Sequence, residues 1–274
     1  MRAVLLAHPS GHSLSPAMHD AAFAACALTG RYEAWDVPPA DLAAAVGRLR
    51  ADDTLLGANV TVPHKEAVAA YLDASTSVAE RIGAVNTIVK RGRSLVGDNT
   101  DAAGFAAAVA ELGVPVRAER VVVVGAGGAA RAVVAALVGA GAIVGVHNRS
   151  RPRAEALVEA WRGDGEVEVI GGEGLDHAVR SARLLVNTTT VGMSGGPSGS
   201  PLPHGLLPRS GAVIDLVYRP RVTPLLAAAR AAGLRVQDGL PMLVHQGALA
   251  FEAWTGRQAP VGIMRRAVEA VLDG

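Results

Sequence analysis

The sequence predicts an α/β fold in two domains. Three observations carry that expectation. Short β-branched runs alternate with Ala-rich stretches of helical length, the pattern of parallel strands covered by helices. Near the middle of the chain a continuous apolar run meets a glycine-rich turn and an apolar helix, VVVVGAGGAARAV. The 274 residues exceed one typical domain and are comfortable for two.

In chain order, RAVLLA (2–7) reads as a strand and PAMHDAAFAACAL (16–28) as a helix with Pro in its first turn. A strand over 31–37, a helix over 39–50 and a strand over 55–62 follow, then a short helix from about Lys65. Residues 84–99 read as two strands around a Gly turn, and 101–113 as a helix stopped by Gly113. VPVRAER (114–120) interrupts the alternation. Strand, glycine turn, helix and strand then occupy 121–150, with further strands at 183–189 and 211–218. MSGGPSGSPLPHG (193–205) is a Gly/Pro/Ser loop, and the chain is helical from about Gly239. There is no internal repeat. The expected domains are 1–101, with 239–274 packing back on it, and 102–238.

Composition excludes several classes. Half the residues are apolar but only 3% are aromatic, so the cores must be built from Ala, Val and Leu. A net charge of +1 gives no footprint for nucleic acid or an anionic membrane surface. No apolar run approaches the roughly 20 residues of a membrane span, and the N-terminal run is too short for a signal peptide. Cys26 stands alone, so no disulfide framework is available, which suits a reducing, cytoplasmic compartment. His8, His12, His19 and His64 match no metal-ligand spacing, so no metal is expected, and His64 reads as a surface or pocket-rim residue.

The glycine turn is the first functional signal. Gly125, Gly127 and Ala130 form G-x-G-x-x-A between an apolar strand and an apolar helix, the context of a Rossmann dinucleotide site. Gly125 permits the tight turn, Gly127 lets backbone approach a pyrophosphate, and Ala130 allows close helix–strand packing. The phosphates would lie on the free N–H groups of Gly125, Ala126, Gly127, Gly128 and Ala129 at the helix start. After the next strand, an NAD site usually has an acidic residue for the ribose hydroxyls. This chain has Asn148, Arg149, Ser150, Arg151 and Arg153 instead. Guanidinium forks there suit a 2′-phosphate, so the expected cofactor is NADP.

The second signal lies in the first half. Ser13, Ser15, Asn59, Thr61, Lys65, Asn86 and Asp101 fall near the carboxyl ends of predicted strands, where open α/β sheets bind ligands. Hydroxyls, amides, one amine and one carboxylate suit a small polyhydroxylated acid. Read singly, Ser15 and Asp101 serve equally well as helix caps. Lys65 and Lys90 are the only lysines among 26 basic residues. A group that must give up a proton cannot be Arg, which accounts for a lysine on this background.

HSLSPAMH, NVTVPHK, GAVNT, GDNTDAAG, GAGGAAR, NRSRPRA, NTTTVGM, DLVY and GLPMLVHQG occur in this order over nearly the whole chain. Together they resemble the shikimate dehydrogenase family. The resemblance implies a two-domain enzyme, with an N-terminal α/β substrate domain, a Rossmann NADP domain and a deep cleft between them. It implies reversible reduction of 3-dehydroshikimate to shikimate in aromatic amino-acid biosynthesis, by a monomer or homodimer. By position, Lys65 and Asp101 match the catalytic pair, and Ser13 and Ser15 the hydroxyls that hold the substrate carboxylate. Asn59, Thr61, Asn86, Tyr218 and Gln246 match further substrate contacts. Leu216 and Gly239 match residues near the nicotinamide. Quinate/shikimate and aminoshikimate dehydrogenases share the plan but often favour NAD, against which the arginines argue. A methylenetetrahydrofolate dehydrogenase would need a pterin pocket that this aromatic-poor first domain disfavours. A non-catalytic NADP-binding regulator would not need Lys65 and Asp101.

Overall fold

A computed structural model of the protein describes residues 1–203 and 205–273. The elements are, in order, β1 (Arg2–Ala7), α1 (Ser15–Ala25), β2 (Arg31–Asp36), a 3-10 turn (Pro39–Asp41) running into α2 (Leu42–Ala51), β3 (Leu55–Val60), a 3-10 turn (Val68–Tyr71), β4 (Ala74–Ser75), α3 (Ser77–Ile82), β5 (Thr87–Arg91), β6 (Ser94–Asp98) and α4 (Asp101–Leu112). Then come β7 (Arg120–Val124), α5 (Gly128–Gly139), β8 (Ile143–His147), α6 (Arg151–Glu159), β9 (Val167–Val169), α7 (Gly174–Ser181), β10 (Leu184–Asn187), β11 (Ala212–Asp215), α8 (Pro224–Ala231), β12 (Arg235–Gln237), α9 (Leu240–Thr255) and α10 (Val261–Asp273). The chain forms two compact units, Met1–Gly104 with Leu243–Gly274, and Phe105–Met242.

The first unit is built on a sheet in the order β2-β1-β3-β5-β6-β4. Alternation along β1 sends Val4 and Leu6 to one face, against Leu42, Val46 and Leu49 of α2. Ala3, Leu5 and Ala7 go to the other, with Tyr32, Ala250 and Trp254. Each large apolar side chain buried this way contributes about 1.5–3 kcal/mol. The sheet is not parallel throughout, as strand–helix alternation had implied. The hairpin of β5 and β6 turns at Gly92 (φ 62) and runs antiparallel, and β5 also pairs antiparallel with β3.

The second unit carries a fully parallel sheet in the order β12-β11-β10-β7-β8-β9. Strand order reverses between β7 and β10, the switch point where such sheets bind ligands. β7 is apolar at every position after Arg120 because both its faces are covered. Val121 and Val123 enter one core and Val122 and Val124 the other.

Several boundaries differ from expectation. α1 ends at Ala25, where Ala27 turns to φ 52. Lys65 does not open a helix; it lies in a turn, and its carbonyl accepts from Val85 N–H at 2.8 Å. That bond fastens the segment to the neighbouring chain instead of to a helical partner. α3, α7 and α8, with the short strands β4, β9 and β12, are not among the elements expected from the sequence; none is longer than eight residues. Within the loop expected over 193–205, His204 lies outside the described residues, as does Gly274 in the C-terminal helical stretch.

Candidate active site and dinucleotide site

In the first unit, the Lys65 Nζ donates to Asp101 Oδ2 at 2.5 Å, with side chains only 13% and 5% exposed. Such a pair is shielded from the screening that weakens surface ion pairs. The second carboxylate oxygen, Oδ1, accepts from Asn86 Nδ2 at 2.8 Å. The same Asn86 amide reaches Gln246 Oε1 on α9 at 3.2 Å. Gly104 makes this possible: a Cβ there would stand 2.8 Å from the Gln246 backbone nitrogen. Lys65, Asp101, Asn86 and Gln246 are thus brought together from a turn, two helices and a strand end.

Asp101 is not the cap of α4. Asn99 Oδ1 accepts from the N–H groups of Asp101 and Ala102 at 3.1 and 3.3 Å. This leaves the Asp101 carboxylate to its side-chain partners, at a helix N-terminus that favours negative charge. Ser15 is not a cap either. The N-cap of α1 is Leu14, without a side-chain bond, and Ser13 Oγ accepts the Ser15 N–H at 3.2 Å. Ser15 is buried and Ser13 and Thr61 half-buried. Both N–H donors of Asn59 are occupied, by Asn86 O and Thr87 Oγ1 at 3.3 Å each, and its Oδ1 accepts from Tyr32 OH at 2.8 Å. His64 is corrected from rim to interior: it is 1% exposed, with Nε2 2.6 Å from Val37 O.

His19 stacks on Tyr32 at 4.4 Å between ring centroids. Burial pushes the imidazole down to about 3, and the nearby Asn59 amide offsets little of this; neither ring nitrogen has a partner at normal hydrogen-bond distance. Burial also raises the Tyr32 phenol, with the Ser15 hydroxyl opposing. A histidine with a depressed native pKa contributes stability above its unfolded value of about 6.5, and that contribution is lost as pH falls from there towards about 3. By pH 5 the loss from His19 is about 2 kcal/mol. Urea unfolding at pH 7 and pH 5 will show it, and His19→Phe will shrink the difference. An unchanged difference in the variant would place the acid sensitivity elsewhere.

In the second unit, Gly125 follows β7 with φ 116 and its N–H bonded to His147 O at 2.8 Å. A Cβ at Gly125 would lie 2.2 Å from Thr188 Oγ1, so the position admits only glycine. Ala126 is buried below the turn, and Gly128 and Ala129 form the first turn of α5. Gly127 is the N-cap; it offers no side-chain bond, and a Cβ there would meet nothing within 4 Å. The space beside Gly127, at the start of α5, is therefore open. Ala130, fully buried, lets the helix lie close on the sheet.

Beyond β8, Asn148 Nδ2 donates to Ser150 O at 2.8 Å and so shapes the loop. Ser150 is the N-cap of α6 with no side-chain cap bond, and Arg149, Ser150 and Arg153 are exposed. Arg151 is occupied by Glu155 at 2.8 Å. Uncapped N–H groups at α5 fit a pyrophosphate, and a hydroxyl with guanidinium groups at α6 fits a 2′-phosphate.

Leu216, Tyr218 and Gly239 also belong to the second unit. A Cβ on Gly239 would lie 2.0 Å from Leu216 O, and Gly239 N–H donates to Val217 O at 3.1 Å, so the two segments form one close-packed wall. Tyr218 is half-buried, and burial raises its phenol while Arg219 opposes. Below them Asp215, fully buried, accepts from Asn187 Nδ2 (2.9 Å), Val217 N–H (3.1 Å) and Thr223 Oγ1 (2.7 Å). This network and Asn99, Thr87 and Tyr32 went unnoticed in the sequence. Asn99 alone had a usable signal, as a capping residue two before a helix.

The chain matches three family models: "Shikimate dehydrogenase substrate binding domain" over residues 5–88, "Shikimate / quinate 5-dehydrogenase" over 107–192 and "Shikimate 5'-dehydrogenase C-terminal domain" over 239–269. It is 50% identical to shikimate dehydrogenase (NADP(+)) of Symbiobacterium thermophilum, across 98% of this chain and 94% of that one. The corresponding protein of Moorella thermoacetica is 49% identical, across 98% and 92%. A crystal structure of shikimate 5-dehydrogenase from Thermus thermophilus, in complex with NADP(H) and shikimate, superposes with a TM-score of 0.90 at 46% identity, across 99% and 100% of the two chains.

Proposed function

Because the chain belongs to the shikimate dehydrogenase family, we propose that Lys65 and Asp101 carry its chemistry, with the substrate held chiefly by residues of the first unit and the dinucleotide by residues of the second. The protein is an NADP-dependent oxidoreductase that interconverts 3-dehydroshikimate and shikimate. NADP, when bound, supplies or takes up the hydride at the ring carbon. The observation that carries the assignment of residues is the buried Lys65–Asp101 pair, 2.5 Å apart and joined to Asn86 and Gln246.

Reduction of a ring ketone leaves an alkoxide that needs a proton, and oxidation of the alcohol releases one. Lys65 Nζ gives the proton in one direction and takes it in the other. Asp101 orients that amine through Oδ2 and can accept from a ring hydroxyl. Asn86 and Gln246 are assigned to the substrate as well, Asn86 through the Asp101 carboxylate that its occupied Nδ2 orients, and Ser13, Ser15 and Thr61 offer hydroxyls to the carboxylate. Tyr218 is assigned to the substrate and Leu216 and Gly239 to the nicotinamide. The turn from Gly125 to Ala129 holds the pyrophosphate. Asn148, Arg149, Ser150 and Arg153 hold the 2′-phosphate, which gives the preference for NADP.

Among the described residues no helix is long and apolar enough to cross a membrane. The single cysteine suits a reducing compartment, which supports a cytoplasmic site of action by a monomer or homodimer.

Steady-state rates with shikimate and NADP⁺, beside quinate and NAD⁺, test this reading. Turnover is expected to be fastest with shikimate and NADP⁺, and Arg149→Ala is expected to raise KM for NADP⁺ by about tenfold, as befits loss of a charge-assisted phosphate contact. KM for NAD⁺ should barely move. Equal losses would remove Arg149 from the phosphate site, better turnover with quinate would move the substrate assignment, and binding without turnover would favour a regulator.

A further inference from the structure

The buried polar chain behind Lys65 and Asp101 has a hub that the chemistry above does not use. Thr87, the first residue of β5, is 0% exposed. Its hydroxyl lies 3.3 Å from Asn59 Nδ2, 3.1 Å from Thr100 Oγ1 and 3.0 Å from Asn86 Oδ1. An amide nitrogen can only donate, so the hydroxyl accepts from Asn59. A carbonyl oxygen can only accept, so the hydroxyl donates its one proton to Asn86. Thr100 Oγ1 lies 3.0 Å from Asn86 Nδ2 and 3.2 Å from Asn86 Oδ1, so its one proton is shared between Thr87 and Asn86. The Thr87 hydroxyl bonds only to groups of the protein.

The direction of these bonds matters because the two ends of an asparagine amide are alike in shape and opposite in function. Asn86 Oδ1 is held inward by the Thr87 hydroxyl and by Thr100 N–H at 2.7 Å. Its Nδ2 is therefore turned outward, to Asp101 Oδ1 and Gln246 Oε1. A flipped Asn86 would set a carbonyl oxygen against the Asp101 carboxylate. Asn59 is oriented in the same way, by Tyr32 OH on its Oδ1.

We infer that Thr87 is a positioning residue: its hydroxyl fixes the orientation of the Asn86 amide and through it the Asp101 carboxylate that holds Lys65. The inference rests on the assignment of Lys65 and Asp101 above. Thr87→Val keeps the shape and removes the hydroxyl, while Thr87→Ser keeps the hydroxyl and loses a methyl. Thr87→Val leaves Asn86 Oδ1 with the Thr100 N–H, and leaves Asn59 Nδ2 with Asn86 O but with its second N–H unpaired.

A β-branched apolar residue also suits a buried strand better than Ser does. That preference offsets part of the cost of the unpaired Asn59 donor, so melting temperature is read beside kcat, and Thr87→Ser, which keeps the hydroxyl, separates positioning from packing. The test is kcat, KM and melting temperature for the full chain and both variants, with shikimate and NADP⁺. We expect kcat to fall about tenfold or more in Thr87→Val, the scale of a misplaced reacting group, with KM for NADP⁺ unchanged. Thr87→Ser should stay within about threefold of wild type even where loss of the methyl lowers its melting temperature. A Val variant with wild-type kcat, or a Ser variant as slow as the Val variant, would overturn the inference while leaving the functional reading standing. A wild-type protein that does not turn over shikimate would remove that reading, and the inference with it.

Discussion

Lys65→Ala will leave NADP⁺ binding intact and lower kcat for shikimate oxidation by about 10²–10⁴-fold, the range in which general acid–base groups contribute. In the proposed assignment the amine held by Asp101 is the proton-transferring group, and the Ala variant keeps nothing at that place. Lys65→Arg separates proton transfer from charge. Arginine would keep the cation beside Asp101 but does not release its proton near neutral pH. Kinetics on both variants, with NADP⁺ affinity measured by fluorescence titration, should find both nearly inactive and both able to bind NADP⁺. An active Arg variant would mean that Lys65 serves as a charge only, and an active Ala variant would remove it from the chemistry. The fold should survive, because Asp101 keeps Asn86 and the α4 N-terminus as partners.

What the sequence disclosed divides along physical lines. The second unit was legible where a strand, a turn and a helix are contiguous, because G-x-G-x-x-A reports backbone conformation directly: Gly125 is at φ 116 and Gly127 caps α5 with open space before it. The residues of the first-unit site were legible by type and family order, but their arrangement was not. Asp101 looks like a cap in sequence, and only the fold shows Asn99 taking that task. His64 looks like a rim residue until its ring is found on Val37 O. Thr87 and Tyr32 are ordinary strand residues and carry no local signal. Their importance comes chiefly from partners 13 to 28 positions away. The hairpin of β5 and β6 was legible from its Gly turn, but the antiparallel pairing of β5 with β3 depends on strand order, which alternation of element types does not encode.

The glycines of the dinucleotide turn allow the sharpest separation of fold from function. Gly125→Ala would put a Cβ 2.2 Å from Thr188 Oγ1 and 3.2 Å from Thr189 Cγ2, on a backbone with φ 116. Thr188 cannot easily swing away, since its hydroxyl donates to Val124 O at 2.8 Å and its N–H to the same carbonyl at 2.9 Å. Either the turn or the loop after β10 must move, at a cost of about 1–3 kcal/mol for the backbone strain alone. Gly127→Ala is the counterpart. It has an ordinary φ of −100 and meets nothing within 4 Å, so the fold tolerates it, but the new methyl stands in the space before α5. Both variants should lose NADP⁺ affinity by about tenfold or more, while only Gly125→Ala loses thermal stability. Melting curves and NADP⁺ titrations on the pair check this. A Gly127→Ala protein that binds NADP⁺ like the wild type would show that the phosphates do not approach that nitrogen, and a fully stable Gly125→Ala protein would show that Thr188 yields more readily than its two bonds to Val124 imply.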